Sequence, residues 1–373
     1  MVEAYNVTDS GSNLWSFTSN LPNAAQSTFM VDMARHAVGF GAGAVDTVAA
    51  QANFVAPSAC SVFAFSSTGT GTPLWSWNLS NCDSSLLYDM DRFIDISDDG
   101  STVAFSYFVP SGTQSVPMLT VFDGQTGAVR FTKALAAGAG TGPVQLSSQG
   151  AWVAWTQGDT VVVYSGTTGA IRDTVPMGWN TPAQLSDDGS FLAFSGDDTA
   201  HIYEWSAANS QYALKFALQP PGGGTWYSVS CSLSSDGSGA ADAELVAFAF
   251  YSEGALSARV VIYSMVTGAL MTDWTSTTNA KLQTNPTVRM DGNYAGVCLW
   301  GDNGEVPTAV VLAAGVSTPV FTYVTPGSEG ARSGGRARAR SAGGGGGPAH
   351  CATLISRPSP ATPSPPLRRH VRR

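Results

Sequence analysis

Four carboxylates crowd one stretch, LSDDGSFLAFSGDDTAHIYEW (185–205): Asp187, Asp188, Asp197 and Asp198. Aspartates at that density can ligate a divalent cation or share a proton in acid–base chemistry. They are also what tight turns between strands use, because an aspartate bonds its own backbone two residues on and glycine accepts a positive φ. Spacing decides between these readings. A calcium loop needs oxygen ligands at fixed offsets and a closing glutamate, and DMDRFIDISDDG (89–100), the other acidic stretch, has neither that order nor a glutamate at its twelfth position. The aspartates are therefore read as turn residues, Asp187 and Asp188 in one hairpin turn, Asp197 and Asp198 in the next loop. No metal is expected.

Other chemistry finds as little support. The chain has four histidines, His36, His201, His350 and His370, and neither a G-x-S-x-G elbow, a P-loop nor a C-x-x-C-H haem site. His36 falls in a predicted turn and His201 at a strand start, where a packed or solvated imidazole is expected. No catalytic or cofactor-binding residue is assigned.

The elements that would position any site repeat. ISDDGSTVAF (96–105), LSSQGAWVAW (146–155) and LSDDGSFLAF (185–194) share one template, an apolar residue, Ser, a polar pair, Gly and an apolar strand. LSSDGSGAADAELVAF (233–248) and VRMDGNYAGVCLW (288–300) are further copies, and FMVDMARHAVGF (29–40) is a degenerate one. Each is read as a hairpin. A second template follows each: VFAFSSTGTGTPLWSW (62–77), LTVFDGQTGAVRF (119–131), VVVYSGTTGAIRDT (161–174) and VVIYSMVTGALMTDW (260–274) read as strand, Thr-Gly turn, strand. HIYEWSAANSQYALKF (201–216) and VVLAAGVSTPVFTYV (310–324) hold the same place with altered turns. The first-hairpin glycines stand at 100, 150, 189, 237 and 292, a period suited to four-stranded propeller blades.

The second template resembles the repeats of PQQ-like (quinoprotein-type) β-propellers, and the first resembles the Ser-x-Asp-Gly hairpin of WD40 and related propellers, over residues 5 to about 324. The resemblance implies an all-β propeller. Its closing Trp is matched by Trp15, Trp75 and Trp274 and replaced elsewhere, for example near Arg130. YNVTDSGSNLWSFTS (5–19) matches only the second template. Six full blades plus an N-terminal half blade are expected, a seven-bladed and incomplete ring. A working quinoprotein would further be expected to carry adjacent cysteines and Ca²⁺-binding Glu and Asn. This chain has no adjacent cysteines, so a PQQ-like cofactor-dependent oxidoreductase with unrecognised site residues stands only as the alternative to a non-catalytic scaffold.

Partners are then sought on the loops that join blades. LLYDMDRF (86–93), PMGWNTP (176–182), PPGGGTWYSVS (220–230) and TTNAKLQTNP (277–286) are aromatic and polar, and Tyr88, Asp91, Arg92, Trp179, Asn180, Trp226, Tyr227 and Lys281 are candidate contacts to a protein, peptide or glycan. The same rings would serve equally well to pack blade against blade.

Cys60 and Cys82 lie at the open end of the hairpin that turns near 69–72, so a disulfide is expected, with Cα atoms within about 7 Å. Cys231 and Cys298 should be buried small hydrophobes. Two sequons, Asn6-Val-Thr and Asn78-Leu-Ser, and a lysine count of three favour a secretory origin. The stretch MVEAYNVTDS nevertheless lacks the regions of a signal peptide. Residues 1–328 carry 9 Lys+Arg against 26 Asp+Glu, net −17, which argues against nucleic acid as partner. Residues 329–373 carry 9 Arg and a single Glu, net +8, with almost no aliphatic content, and are expected to be disordered. No window reaches the roughly 18 apolar residues of a membrane helix. A propeller domain over 1–328, monomeric and without cofactor, is the expectation.

Overall fold

The computed structural model describes residues 2–6, 12–17, 28–33, 47–55, 58–66, 72–83, 93–177, 183–196, 199–221, 226–234, 240, 242–252, 257–276, 287–299 and 308–324, with side chains from Cys60 onward except at 66, 228, 229, 287, 289, 291, 298, 308, 323 and 324. Every regular element among them is a strand. The strands form six four-stranded antiparallel sheets, here I (28–79), II (94–134), III (144–176), IV (184–218), V (227–275) and VI (287–324), and a two-stranded ribbon of Val2–Asn6 with Ser12–Phe17. Within each sheet the strands are hydrogen-bonded in chain order, and the first strands of consecutive sheets lie side by side. Stacked meanders turning about their first strands are the blades of a β-propeller.

The sequence dictates this locally. Second and third strands such as Thr102–Ser111 and Ser257–Ser264 are buried along nearly their whole length because both faces meet a neighbouring sheet. They accordingly read as continuous apolar runs. Fourth strands such as Pro73–Leu79 alternate between half-buried and exposed residues.

The aspartate turns close as expected. In sheet II the Ser97 hydroxyl donates to Asp99 Oδ1 at 2.7 Å, the Ser101 N–H donates to the same oxygen at 2.9 Å, and the Thr102 N–H donates to Ser97 Oγ at 3.0 Å. Sheet IV repeats this with Ser186, Asp188, Ser190 and Phe191. The following glycines, Gly100 and Gly189, take φ of 68° and 71°. Sheet I differs from expectation. Its first strand, Thr28–Met33, pairs with Thr47–Val55 and not with residues inside 29–40. That copy has no Asp-Gly to turn the chain, and the β-branched, apolar run resumes only at Thr47.

A β-bulge recurs near the start of the fourth strand. Trp75 pairs with Ala64 while Pro73 pairs with Phe65, leaving Leu74 as the extra residue. The same shift occurs at Arg130, Arg172, Lys215 and Met271 in sheets II to V, and at Leu14 in the ribbon. The residue after the bulge faces the next sheet. Trp75 covers Gly127, whose φ is +70° and where a Cβ would lie 2.6 Å from the indole, and its Nε1 donates to the Gly124 carbonyl at 2.8 Å. Phe131 covers Gly169 and Phe216 covers Gly268 in the same way.

This register corrects the equivalence drawn from tryptophan alone. Trp274 pairs with Val260 and corresponds to Trp77, which pairs with Val62, whereas Thr272 holds the position of Trp75. Thr272 still reaches the next sheet, donating to the Ala313 carbonyl at 2.9 Å and accepting from the Gly315 N–H at 3.0 Å. In sheet III Asp173 holds that position and accepts from the Tyr212 N–H at 2.6 Å.

Candidate functional site

The first strands leave one edge of each four-stranded sheet without a strand partner, and in sheets III and VI polar side chains of the preceding sheet bond to that edge. Asp95 Oδ2 accepts from the Leu146 N–H, and Ser230 and Ser232 accept from the N–H groups of Val288 at 3.2 Å and Met290 at 3.0 Å. Between sheets II, III and IV these strands enclose a cavity of about 20 Å³, lined by Asp95, Asp98, Gln145, Ser148, Gln184 and Asp187 among others. It has room for about one water molecule and for no organic cofactor. Buried Gln145 presents Nε2 there without an acceptor.

Among the described residues no three His, Cys, Asp or Glu side chains converge to hold a metal. Burial would raise the carboxyl of Asp188, but the Ser190 N–H and the hydroxyls of Ser190 and Ser186 outweigh it and hold it below the usual carboxylate range. The turn thus uses Asp188 as a fixed hydrogen-bond acceptor. Asp197 and Asp198 lie outside the described residues, as does His36. His201 stacks on Phe194 at 5.5 Å between ring centroids, and burial lowers its pKa.

The loops joining one sheet to the next share a face with those between second and third strands. Gly142 N–H bonds the Thr156 carbonyl at 3.0 Å and Gly158 N–H bonds the Gly140 carbonyl at 3.0 Å, stitching the two loop families together. Of the candidate contact residues, Tyr88, Asp91, Arg92, Trp179, Asn180 and Lys281 lie outside the described residues. Trp226 and Tyr227 are described, and they part ways. Trp226 packs against the core between sheets IV and V, and the Arg259 guanidinium carbon lies 5.5 Å from its ring centre. Tyr227, the next residue and the first of its strand, is 46% exposed.

Arg259 was not singled out by sequence, and it fixes this corner. It makes a two-pronged ion pair with Asp273, Nε to Oδ1 at 2.7 Å and Nη2 to Oδ2 at 2.6 Å, and donates from Nη1 to the Pro221 carbonyl. The pairing is geometrically specific, so the Pro221 loop and Trp226 are held to sheet V. Its only sequence signal is a lone charged residue in a third strand, SARVVIYS.

Arg172 is a second residue the sequence did not single out. Its guanidinium carbon is 3.9 Å from the centres of both Trp152 and Trp205, and Nη1 donates to the Gly189 carbonyl at 2.8 Å and to Tyr212 Oη at 3.0 Å. The bulge turns this arginine sideways into the cleft between sheets III and IV.

Cys60 and Cys82 are joined as a disulfide with Cα atoms 5.6 Å apart. Cys60 pairs in register with Leu79, so Cys82 lies three residues beyond the strand and curls back over it. Cys231 is buried outside any disulfide, and its Sγ donates to the Ala193 carbonyl at 3.6 Å. The side chain of Cys298 lies outside the described set.

No family model matches the chain, and no curated protein matches it. Solved structures similar to it are β-propeller proteins. Hsv2p of Kluyveromyces lactis is 14% identical, with a TM-score of 0.45 over 71% of this chain and 70% of that one. A chain of the mitotic checkpoint complex is 12% identical, with a TM-score of 0.49 over 74% and 77%. The β-propeller domain of the trilobed protease from Pyrococcus furiosus is 10% identical, with a TM-score of 0.44 over 71% and 79%. The propeller architecture itself stands on the strand order and register.

Proposed function

We propose that this propeller is a non-catalytic scaffold that recognises a protein, peptide or glycan through the face carrying the sheet-joining loops. The observation that supports it is the Trp226–Tyr227 corner. An exposed tyrosine stands on a strand end whose neighbour is clamped by a bidentate arginine, so a large contact residue is presented with little conformational freedom left to lose. We read the ring as seven-bladed, with six full blades and the ribbon as the outer half of the seventh, in a domain over residues 1–328.

The test is a binding measurement on the full chain against peptide and glycan arrays, followed by affinity determination for each hit. Tyr227→Ala should weaken binding at least about tenfold, the scale of an anchor residue. Leu214→Ser, which alters an equally exposed residue on a fourth strand, should leave it unchanged. Equal affinities for wild type and Tyr227→Ala would remove the loop face as the recognition surface.

A further inference from the structure

The two ends of the row of sheets are not alike. On sheet I, the face pointing away from sheet II carries Phe63 and Phe65, both buried. On sheet VI the face pointing away from sheet V is open. Tyr294 and Phe321 there are 50% and 53% exposed, whereas Leu245 and Thr272, at the same register positions in sheet V, are fully or almost fully buried against sheet VI.

Between consecutive sheets one pairing recurs. The fourth-strand residue after the bulge meets an aromatic residue on the next sheet's third strand. Trp75 meets Phe122 with ring centroids 5.6 Å apart, Phe131 meets Tyr164 at 6.5 Å, and Phe216 packs in one core with Tyr263. Phe321 pairs with Val311 and so holds the first position of such a pair, as Thr272 does opposite Ile262. No sheet of the described structure supplies the second.

The ribbon does. Tyr5 pairs with Asn13 and Trp15 with Ala4, with the bulge between, as Phe122 pairs with Val129 and Phe131 with Val121. Tyr5 thus holds the register position of Phe122 and Tyr164, and Trp15 that of Trp75. A two-stranded ribbon with this bulge is built as the third and fourth strands of a blade.

We propose that the ribbon of Val2–Asn6 with Ser12–Phe17 packs on the open face of sheet VI, its Tyr5 register position opposite Phe321 and its Trp15 register position toward the buried face of sheet I. This rests on reading the ribbon as the outer half of a seventh blade, and it assigns the residues that close the ring.

A double-mutant cycle on the full chain, read by thermal melting with Tyr5→Ala, Phe321→Ala and the pair, tests it, with sedimentation to confirm a monomer. Each single substitution is expected to lower Tm by about 3 °C or more, and the double variant should lose clearly less than the sum. Tyr5→Leu and Phe321→Leu provide the same cycle if an alanine variant fails to fold. Additive losses would mean that something other than the ribbon covers Phe321, overturning the pairing while leaving the blade count intact. Coupling seen only in a dimer would place a second copy's ribbon there and likewise overturn it. A shift under 1 °C for Phe321→Ala would show that the face is open in solution, and both the pairing and the seventh blade would fall.

Discussion

Arg172 lies between two indoles, and its contribution follows from shape as much as from charge. Cation–π contacts are worth about 0.5–2 kcal/mol each depending on desolvation, and the guanidinium also bonds the Gly189 carbonyl, itself the acceptor for Tyr212 Oη at 2.7 Å. Arg172→Ala is expected to cost about 2–3 kcal/mol in urea unfolding. Arg172→Lys should recover less than half of that, because an ammonium cannot lie flat between two rings and bond both acceptors. Full recovery by lysine would mean that charge, and not stacking, carries the effect. Trp226 and Tyr227 make the complementary point. Sequence placed both in one aromatic loop, and adjacency sent one into the core and the other toward solvent, since successive residues entering a strand point to opposite faces.

At the scale of the element, the repeated unit is a bulge with a docking residue after it. Trp75, Phe131 and Phe216 share one geometry over Gly127, Gly169 and Gly268. The glycines are required twice over, by a φ near +70° and by the ring at van der Waals contact. Gly127→Ala is expected to cost about 2–4 kcal/mol, combining the left-handed conformation with displacement of the indole. In a Trp75→Ala background the same substitution should cost only the conformational part, about 1–2 kcal/mol. Chemical unfolding of the wild type and the three variants gives both numbers, and strict additivity would show that the ring does not press on the glycine. The template was legible in sequence because Thr-Gly and apolar alternation are local signals. Its Trp was not a dependable marker, because Asp173 and Thr272 satisfy the same place with hydrogen bonds.

At the scale of the whole molecule, the described sheets are joined by side chains and, among the described residues, by one disulfide. The Cys60–Cys82 disulfide closes a loop of 22 residues from the third strand of sheet I to the segment entering sheet II, where the Asp83 N–H bonds the Phe108 carbonyl at 2.8 Å. On the loop-entropy scale a bridge of that span is worth about 3 kcal/mol. Cys60→Ser with Cys82→Ser should therefore lower unfolding stability by about that amount, and reduction of the wild type should bring the two proteins together. Equal stability of oxidised wild type and variant would show that sheets I and II are held by their shared apolar core alone, in which both sulfurs sit.

What the sequence by itself determined is the unit. Alternating and continuous apolar runs, Ser-x-Asp-Gly turns and Thr-Gly turns are decided within ten residues by backbone sterics and side-chain-to-backbone bonds, so strands and turns could be read in order. That Asp99 and Asp188 bend the chain at their hairpin turns followed from the same local chemistry. Only the tertiary structure decided which residues join one unit to the next. Arg172 bonds partners 17 and 40 residues away, Arg259 reaches one 38 residues away, and Trp75 one 49 residues away. The contacts of Arg172 and Trp75 depend on a bulge that breaks the strand's alternation, and all of them on the twist that brings the neighbouring sheet alongside. Neither leaves a mark in the residues' own spacing.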